Sequence, residues 1–242
     1  MYMGECKYKR VLLKLSGESF CLPGEFGING ASLESLAERV VEIGKLGPQV
    51  GIVVGAGNFI RGETFSQKSH IPRNTADYMG MLATIINACA LQETLEKRGQ
   101  PTRVLSAIEV AAMCEPFIRR RALRHFEQGR VVILAGGTGN PFFTTDTCAA
   151  LRAAELEAEL LVKATKVEGV YSDDPKKNPN ATLLTKLTYD DVLRQRLRIM
   201  DHAAISLCRD NHIPIIVLNI FTKGNMTKAI CGAQVGTLID NG

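Results

Sequence analysis

Short apolar segments alternate with amphipathic segments along almost the whole of this 242-residue chain. Several apolar segments are rich in Val, Ile and Leu with few polar interruptions, which is typical of strands covered on both faces. Strand and helix in alternation favour an α/β fold with a largely parallel sheet. The predicted strands are Val11–Leu15, Gly51–Val54, Arg103–Leu105, Val131–Ala135, Leu160–Val162, Ile213–Leu218 and Thr237–Ile239.

The segments between these strands carry helical signals. In Leu33–Leu46 the apolar residues recur at i, i+3, i+4, i+7 and i+10, which places them on one helix face. A long helix is predicted over Asp77–Arg98, because Gly99 and Pro101 follow it as stop signals. The other helices are predicted over Arg119–Gln128, Asp146–Glu157, the residues after a Thr188-x-x-Asp191 cap, Ala203–Asn211 and Met226–Cys231.

Composition places the chain among ordinary globular proteins. Hydrophobic residues make up 45% and charged residues 22%, which disfavours disorder and coiled coil for the whole chain. The length permits one large domain or two small ones. We expect a single domain over residues 1–242, because glycine-rich exits from early and middle strands must converge on one site. The polar stretch Val170–Leu184 is expected to be a surface loop of that domain rather than a linker.

Net charge and cysteine content restrict the possible functions only weakly. The net charge of +4 suits an anionic small ligand and is less basic than a dedicated nucleic-acid domain. Seven cysteines without a C-x-x-C pair argue against a disulfide framework or a zinc site and favour a reducing compartment. The longest uncharged segments, Tyr78–Gln92 and Val131–Thr145, are 15 residues each, and a membrane-spanning helix needs about 18. With no apolar signal segment at the N-terminus, we expect a cytoplasmic protein that does not bind membranes.

Three predicted strands end in glycine-rich segments. These are KLSGES at Lys14–Ser19, GAGNFIRG at Gly55–Gly62 and AGGTGNPFFTTD at Ala135–Asp146. Glycine lets backbone N–H groups approach a ligand closely, and successive N–H groups form an anion-binding concavity. Ligands of parallel sheets bind beyond the carboxyl ends of strands, so the three exits predict a phosphate or nucleotide site. Neither G-x-x-x-x-G-K-[ST] nor G-x-G-x-x-G follows a strand, which disfavours a P-loop enzyme and a Rossmann dehydrogenase.

Charged residues accompany these glycines. Lys14 stands in a strand of Val and Leu, where a charge is costly unless it is paired. It is either an edge-strand lysine that reaches solvent or a point charge on a phosphate. Arg61 has the planar fork that suits bidentate phosphate contact, although it could also be an ordinary surface arginine. Asp77, Asp146 and Asp201 each stand at the start of a predicted helix, where helix capping is the simpler interpretation.

Six segments together resemble one known family, the bacterial uridylate kinases within the amino acid kinase family. They are KLSGE, GAGN-x-x-RG, DYMGMLAT, GTGNPFFTTD, KATKVEGVYSDDP and IMD, and the resemblance runs from about Tyr8 to Leu238. It implies an open, largely parallel central sheet sandwiched by helices, and phosphoryl transfer from ATP to UMP with Mg²⁺. It also implies a homohexamer, inhibition by UTP and activation by GTP. This chain departs from the family at Ala56, where a glycine is common, and between Arg61 and Asp77, which is longer by about one residue.

The resemblance implies a role for each matching residue. The residues matched to the transferred group are Lys14, Arg61, Asp146 and Asp201, with Asp201 expected to orient Lys14. The ATP-binding residues are Lys14, Leu15, Ser16, Gly17, Gly57, Arg61, Thr165, Tyr171 and Asp174. The UMP-binding residues are Ala56, Asp77, Thr138, Gly139, Asn140, Pro141, Phe142, Phe143, Thr144 and Thr145. Arg103 matches a position of the GTP effector site, and the metal ligands stay unknown.

The implied reaction agrees with the residues present. A phosphate monoester has a second pKa of about 6 and is mostly dianionic at neutral pH, so the acceptor needs no general base. Accordingly, the sequence contains no His or Cys in an activating constellation. What the reaction needs is positioning and charge compensation for two anions.

Two other interpretations remain open at this point. A kinase of the same fold that makes an acyl phosphate on a carboxylate or carbamate would share the first two loops, although GTGNPFFTTD and Asp77 favour a nucleotide acceptor. A non-catalytic nucleotide sensor or nucleic-acid-binding protein would use the basic cluster Arg119–Arg121 with Arg124 and His125. Without interleaved aromatic residues, that cluster is more typical of a solvated helix face, so we do not expect nucleic-acid binding. The uncharged helix Tyr78–Gln92 is predicted to be deeply buried or to lie at a subunit interface, and the resemblance favours the interface.

Overall fold

The computed structural model of this chain describes residues 6–68, 70–173, 175, 177–178, 180–195, 197 and 199–242. Within these residues, nine strands form one sheet in the order β4-β3-β5-β2-β1-β6-β10-β11-β9, and β7 and β8 form a separate antiparallel pair. The strands are β1 Arg10–Leu15, β2 Gln49–Val54, β3 Thr102–Ser106, β4 Glu115–Pro116, β5 Val131–Ala135, β6 Leu160–Thr165, β7 Val170–Tyr171, β8 Leu183–Leu184, β9 Lys186–Thr188, β10 Ile215–Asn219 and β11 Thr237–Asp240.

All neighbours from β4 to β10 pair in parallel, so the prediction of a largely parallel sheet is confirmed. The exception lies at one edge, where β11 runs antiparallel to β10 and β9 follows the direction of β11. The predicted strand Ile213–Leu218 begins at Ile215 instead. Pro214 has no N–H group for a ladder, and the N–H of Ile213 bonds the carbonyl of Cys208 at the end of the preceding helix.

Helices cover both faces of the sheet. They are α1 Gly30–Gly44, α2 Gly62–Lys68, α3 Arg73–Lys97, α4 Arg119–Glu127, α5 Thr145–Glu155, α6 Tyr189–Arg194, α7 His202–Asp210 and α8 Asn225–Ile230. Apolar residues of α1, α3 and α8 pack in one core cluster against one face. Those of α4, α5, α6 and α7 pack in a second cluster against the other. Alternate residues of β1 enter the two clusters, as expected of a strand buried on both sides. No helix of the described residues is both long and apolar enough to cross a bilayer.

The long helix α3 begins earlier than the sequence predicts. Its first residue is Arg73, and Pro72 occupies the N-cap position with a φ of −58° and a ψ of 147°. Asp77 therefore lies one turn inside the helix, and the prediction that it opens the helix is wrong. Its carboxylate instead accepts a bond from the Arg73 side chain of the same helix face, with 2.8 Å between Nε and Oδ1.

The three glycine-rich exits leave β1, β2 and β5, which are adjacent in the sheet. A short 3-10 helix, Gly17–Phe20, follows β1 directly. A Cβ atom added to Gly17 would lie 2.3 Å from the backbone nitrogen of Gly57, so the first two exits pack backbone against backbone. The close approach leaves no space for a side chain at residue 17, and it brings the two loops to one place at the carboxyl end of the sheet.

Candidate active site

The centre of the site is a carboxylate held between two lysines. Lys14 of β1 and Lys163 of β6 are register partners on neighbouring parallel strands, so their side chains leave the same face. The carboxylate of Asp146 lies between them, with Oδ1 2.9 Å from the Nζ of Lys14 and Oδ2 2.8 Å from the Nζ of Lys163. All three side chains are largely buried, with exposed fractions of 12%, 15% and 15%. We call Lys14, Asp146 and Lys163 the lysine–aspartate triad.

The N-terminus of α5 places Asp146 in the triad. The side chain of Thr144 caps this helix by accepting bonds from the N–H groups of Asp146 and Thr147, both at 3.1 Å. The interpretation of Asp146 as the cap is therefore wrong, because the capping role belongs to Thr144. Asp146 lies in the first turn, and its carboxylate faces the strand lysines.

Asp201 stands beside the triad in a different role. It caps α7 by accepting the N–H of Ala204 at 2.9 Å, as the sequence indicates. Its carboxylate also accepts the hydroxyl of Thr147 at 2.8 Å and that of Thr144. The expected bond from Asp201 to Lys14 is replaced by the bond from Asp146. Asp201 ties the starts of α5 and α7 together and so supports the helix that carries Asp146.

Charge coupling shifts the pKa values within the triad. Burial acts to raise the pKa of Asp146, but the charges of Lys14 and Lys163 outweigh it and hold the pKa below its ordinary value. Burial lowers the pKa of Lys163, and the nearby charge of Lys14 lowers it further against the opposing pull of Asp146. The carboxylate therefore stays ionised, and two cationic groups share it.

A cleft of about 410 Å³ opens beside the triad. It lies where the three glycine-rich exits meet, as the sequence predicts. The predicted residues that line it are Lys14, Ser16, Gly17, Ala56, Gly57, Arg61, Asp77, Thr138, Phe143, Thr144, Thr145 and Asp146. Backbone N–H groups, cationic side chains and one helix N-terminus in a single cleft suit an anionic ligand.

The far side of the cleft carries two arginines. Arg61 follows the second exit and is 62% exposed, and it pairs with Glu18 across the mouth of the cleft. Arg73 holds Asp77, whose Oδ2 also accepts the N–H of Phe142 at 2.8 Å. Phe142 has a φ of 70°, a left-handed conformation that a bulky residue rarely adopts. Such strain is held by surrounding contacts and clusters at functional sites, and here Asp77 supplies one of those contacts.

The remaining predicted residues lie around the cleft or outside it. The side chain of Leu15 is fully buried in the core. Gly139, Asn140, Pro141 and Phe142 continue the third exit at its outer side. Thr165 ends β6, where its hydroxyl bonds the carbonyl of Leu218 at 3.0 Å, and Tyr171 lies in β7. Asp174 lies outside the described residues.

Arg103 lies away from the cleft. It is on β3, pairs with Glu96 at 2.6 Å and lines a separate cavity of about 390 Å³. The basic cluster on α4 is partly engaged within the chain. Arg119 pairs with Glu157 and Arg121 lies 3.5 Å from Glu115.

Lys163 and Arg73 were not predicted as site residues from the sequence. Lys163 interrupts the apolar run LLVKAT in the same way that Lys14 interrupts RVLLKL, so a buried charge within a strand was the available signal. For Arg73 the signal was its i, i+4 spacing from Asp77. Within the described residues, no group of three or more His, Cys, Asp or Glu side chains is arranged to hold a metal ion.

Fold and cleft together define an α/β protein with a cleft that suits an anionic ligand. Residues 9–219 match the amino acid kinase family, and the chain belongs to that family. It is 54% identical to the chloroplastic uridylate kinase PUMPKIN of Arabidopsis thaliana, a match that covers 96% of this chain and 69% of the relative.

Solved structures agree with this assignment. The UMP kinase of Bacillus anthracis is 40% identical with a TM-score of 0.93, covering 97% of this chain and 96% of that one. The UMP kinase of Ureaplasma parvum is 36% identical with a TM-score of 0.90, covering 97% and 100%. The uridylate kinase of Archaeoglobus fulgidus is 27% identical with a TM-score of 0.72, covering 95% and 99%. The resemblance and the fold predicted from the sequence are therefore confirmed.

Proposed function

We propose that this protein is a UMP kinase, which transfers the γ-phosphate of ATP to the phosphate of UMP and releases ADP and UDP. The observation that carries the proposal is the lysine–aspartate triad at the meeting point of the three glycine-rich exits. Relatives whose names state this activity match nearly the whole chain. We also propose that residues 1–242 form a single domain, since the sheet takes strands from Arg10 to Asp240.

The lysine–aspartate triad offsets the main obstacle to this reaction, which is the electrostatic repulsion between donor and acceptor. Donor and acceptor are both anionic, and transfer depends on positioning and on compensation of the charge on the moving phosphoryl group. Lys14 and Lys163 present two ammonium groups on one face of the sheet, and Asp146 holds both in place. Either lysine can turn toward a phosphate oxygen while Asp146 retains its ion pair with the other lysine. Arg61 can exchange Glu18 for a phosphate at the mouth of the cleft.

The geometry suggests how the two nucleotides share the site. We place ATP phosphates against the first exit and Gly57, with the nucleoside beyond the end of β6 near Thr165 and Tyr171. The exposed apolar side chains of Val167 and Phe221, at 41% and 39%, give a purine ring a surface there. We place UMP against Asp77 and the loop from Thr138 to Thr145, where α5 directs its N-terminus at the acceptor phosphate.

We expect Mg²⁺ to arrive with ATP and to supply further charge compensation on its phosphates. The side chains present fit a metal held mainly by phosphate oxygens and water. The carboxylates at hand are Asp146 within the triad and Asp201 beside it, but both already accept bonds from protein donors. They therefore suit contact with metal-bound water better than direct ligation.

A kinase assay with a panel of acceptors tests the proposal. Purified protein with ATP and Mg²⁺ is expected to release ADP with UMP, more slowly with CMP, and at background with aspartate, glutamate or carbamate. Turnover of a carboxylate or carbamate without UMP would overturn the assignment in favour of an acyl phosphate kinase.

Adding GTP or UTP to the same assay tests our proposal that GTP activates and UTP inhibits. Loss of GTP activation in Arg103→Ala would place the effector at the cavity beside β3.

We further propose that copies of the chain associate through α3 and build a homohexamer. Tyr78, Met79, Leu82 and Ile86 of this helix are exposed apolar side chains, at 36% to 52%, and a contiguous exposed apolar patch marks an interaction surface. Leu82→Asp is expected to shift the wild-type oligomer to smaller species in sedimentation velocity at micromolar concentration. The control Leu183→Asp removes an exposed leucine outside α3 and should leave the sedimentation profile unchanged. A wild-type chain that sediments as a monomer would contradict this proposal.

For the cellular location, we propose the cytoplasm or another reducing compartment. Cys6, Cys21, Cys89, Cys114, Cys148 and Cys208 are free thiols, which is typical of proteins in reducing surroundings. The Arabidopsis relative is named as chloroplastic. Localisation of a tagged full-length protein distinguishes the cytoplasm from another compartment.

A further inference from the structure

We propose that Thr84 on α3 and Arg152 on α5 position the acceptor loop, residues 136–140, from opposite faces of the sheet. Their effect is on the affinity for the acceptor nucleotide, and neither takes part in phosphoryl transfer. The inference rests on the proposed function, since it assigns the determinants of UMP binding within that site.

The backbone of the acceptor loop is rich in glycine. Gly136, Gly137 and Gly139 have φ angles of 74°, 58° and 81°, in the left-handed region that glycine adopts without steric cost. A segment with so many glycines populates many conformations when it is free. Bonds within the loop join the N–H of Gly139 to the carbonyl of Gly136 at 3.0 Å and link Thr138 with Asn140. These local bonds shape the outer part of the loop, whereas its placement over the cleft depends on contacts with the elements behind it.

Thr84 supplies the first of these contacts. Its hydroxyl accepts the N–H of Gly136 at 2.8 Å and donates its proton to the carbonyl of Met81 at 2.6 Å. Both residues of the Gly136–Thr84 bond are buried, and Thr84 is only 5% exposed, so water cannot replace the bond. Thr84 is one of the residues that line the cleft, but its single hydroxyl proton is already donated to Met81, so it is not free to donate to a ligand. It acts through the loop.

Arg152 approaches the same loop from the α5 side. Its side chain is 6% exposed and pairs with Glu155 at 2.5 Å, and its guanidinium lies 3.8 Å from the ring centroid of Phe117. These two contacts hold the planar group in one orientation. Its Nη2 then lies 3.4 Å from the carbonyl oxygen of Gly137, the residue after the one that Thr84 holds. Arg152 is not among the residues that line the cleft, so its contribution also passes through the loop.

The hydroxyl of Thr84 can be removed at nearly constant volume. Thr84→Val leaves the N–H of Gly136 buried without a partner, and we expect KM for UMP to rise by about tenfold, the scale of one lost buried hydrogen bond. By comparison, KM for ATP and kcat at saturating UMP should change by less than about threefold. Thr84→Ser restores the hydroxyl and is expected to return KM for UMP toward the wild-type value.

Thr94→Val is the matched control. Thr94 lies on the same helix, is 9% exposed and bonds the carbonyl of Ala90 at 2.9 Å, without contact to the acceptor loop. The Thr94→Val variant measures the general effect of removing a buried hydroxyl from α3. Its KM for UMP, its KM for ATP and its kcat should equal those of wild type. A Thr84→Val protein with wild-type KM for UMP would overturn the inference. An equal rise in both KM values would also overturn it, because that pattern indicates general destabilisation.

Arg152→Lys tests the second contact. Lysine keeps the charge but lacks the planar fork, and we expect a selective rise in KM for UMP of about threefold or more. Arg39→Lys is its control, since Arg39 pairs with Glu42 at the same i, i+3 spacing on α1, away from the loop. A change in the control equal to that in Arg152→Lys would overturn the role of Arg152. Failure of the wild-type protein to phosphorylate UMP would instead contradict the proposed function, so the two failures are distinguishable.

Discussion

Replacing Lys14 by alanine is expected to lower kcat by about 10²–10³-fold while the protein stays folded, the scale of one lost transition-state contact to developing charge. Lys14 is one of two ammonium groups placed at the carboxyl end of the sheet. Its removal leaves Asp146 paired with Lys163 at 2.8 Å, so no buried carboxylate becomes uncompensated. The loss should therefore fall on turnover rather than on stability. Steady-state kinetics with UMP and ATP, beside a thermal denaturation curve, separate the two effects.

Lys186→Ala is the control for this variant. Lys186 is also a strand lysine in an ion pair, 3.5 Å from Asp240, but it lies at the far edge of the sheet. It should retain wild-type turnover. Near-wild-type kcat in Lys14→Ala would refute the role given to Lys14, whereas an unfolded Lys14→Ala protein would show that its charge serves the fold instead.

Asp146→Asn is expected to damage both turnover and stability. The substitution leaves Lys14 and Lys163 facing each other without the carboxylate that now separates them. Removing one partner from a largely buried pair costs about 3 kcal/mol of unfolding free energy. We expect kcat to fall by about 10²-fold or more as both ammonium groups lose their position. Denaturant unfolding at neutral pH measures the loss of stability, and the kinase assay measures the loss of turnover.

The pH dependence of stability tests the same residue independently. The folded pKa of Asp146 is below its ordinary value, with the two lysines outweighing burial. Stability from this group is therefore fully present above the unfolded pKa of about 4, and it is lost as pH falls through the lower folded pKa. The difference in unfolding free energy between wild type and Asp146→Asn should narrow on acidification below about pH 4.

Asp240→Asn provides the control for Asp146→Asn. Asp240 is the 30% exposed partner of Lys186, and exposed pairs contribute at most about 1 kcal/mol. This variant should therefore be nearly neutral in stability and in turnover. An Asp146→Asn protein as stable and active as Asp240→Asn would contradict the central position of the triad.

Much of this site was predictable because its signals are local. The glycine-rich exits are contiguous segments, and strands that lie beside one another in a parallel sheet deliver their ends to one edge. The isolated charge of Lys14 in an apolar strand was an equally local signal. The assignment of Asp146 and Asp201 was less accurate. Both precede or begin helices, and sequence alone does not tell whether a carboxylate caps its own helix or faces a neighbouring strand.

The sequence by itself indicated the seven longer strands and their alternation with helices, since apolar periodicity, glycine stops and helix caps act over a few residues. The short strands β4, β7, β8 and β9 and the helix α2 were not predicted. The sequence also indicated that glycine-rich loops follow three of the strands. Only the tertiary structure decided that β1 lies beside β6 in a register that places Lys14 next to Lys163, residues separated by most of the chain. The same pairing decided that the carboxylate between them is that of Asp146. The physical reason is that a side-chain distance across two strands depends on their register, and a register shift of one residue would turn Lys163 to the opposite face.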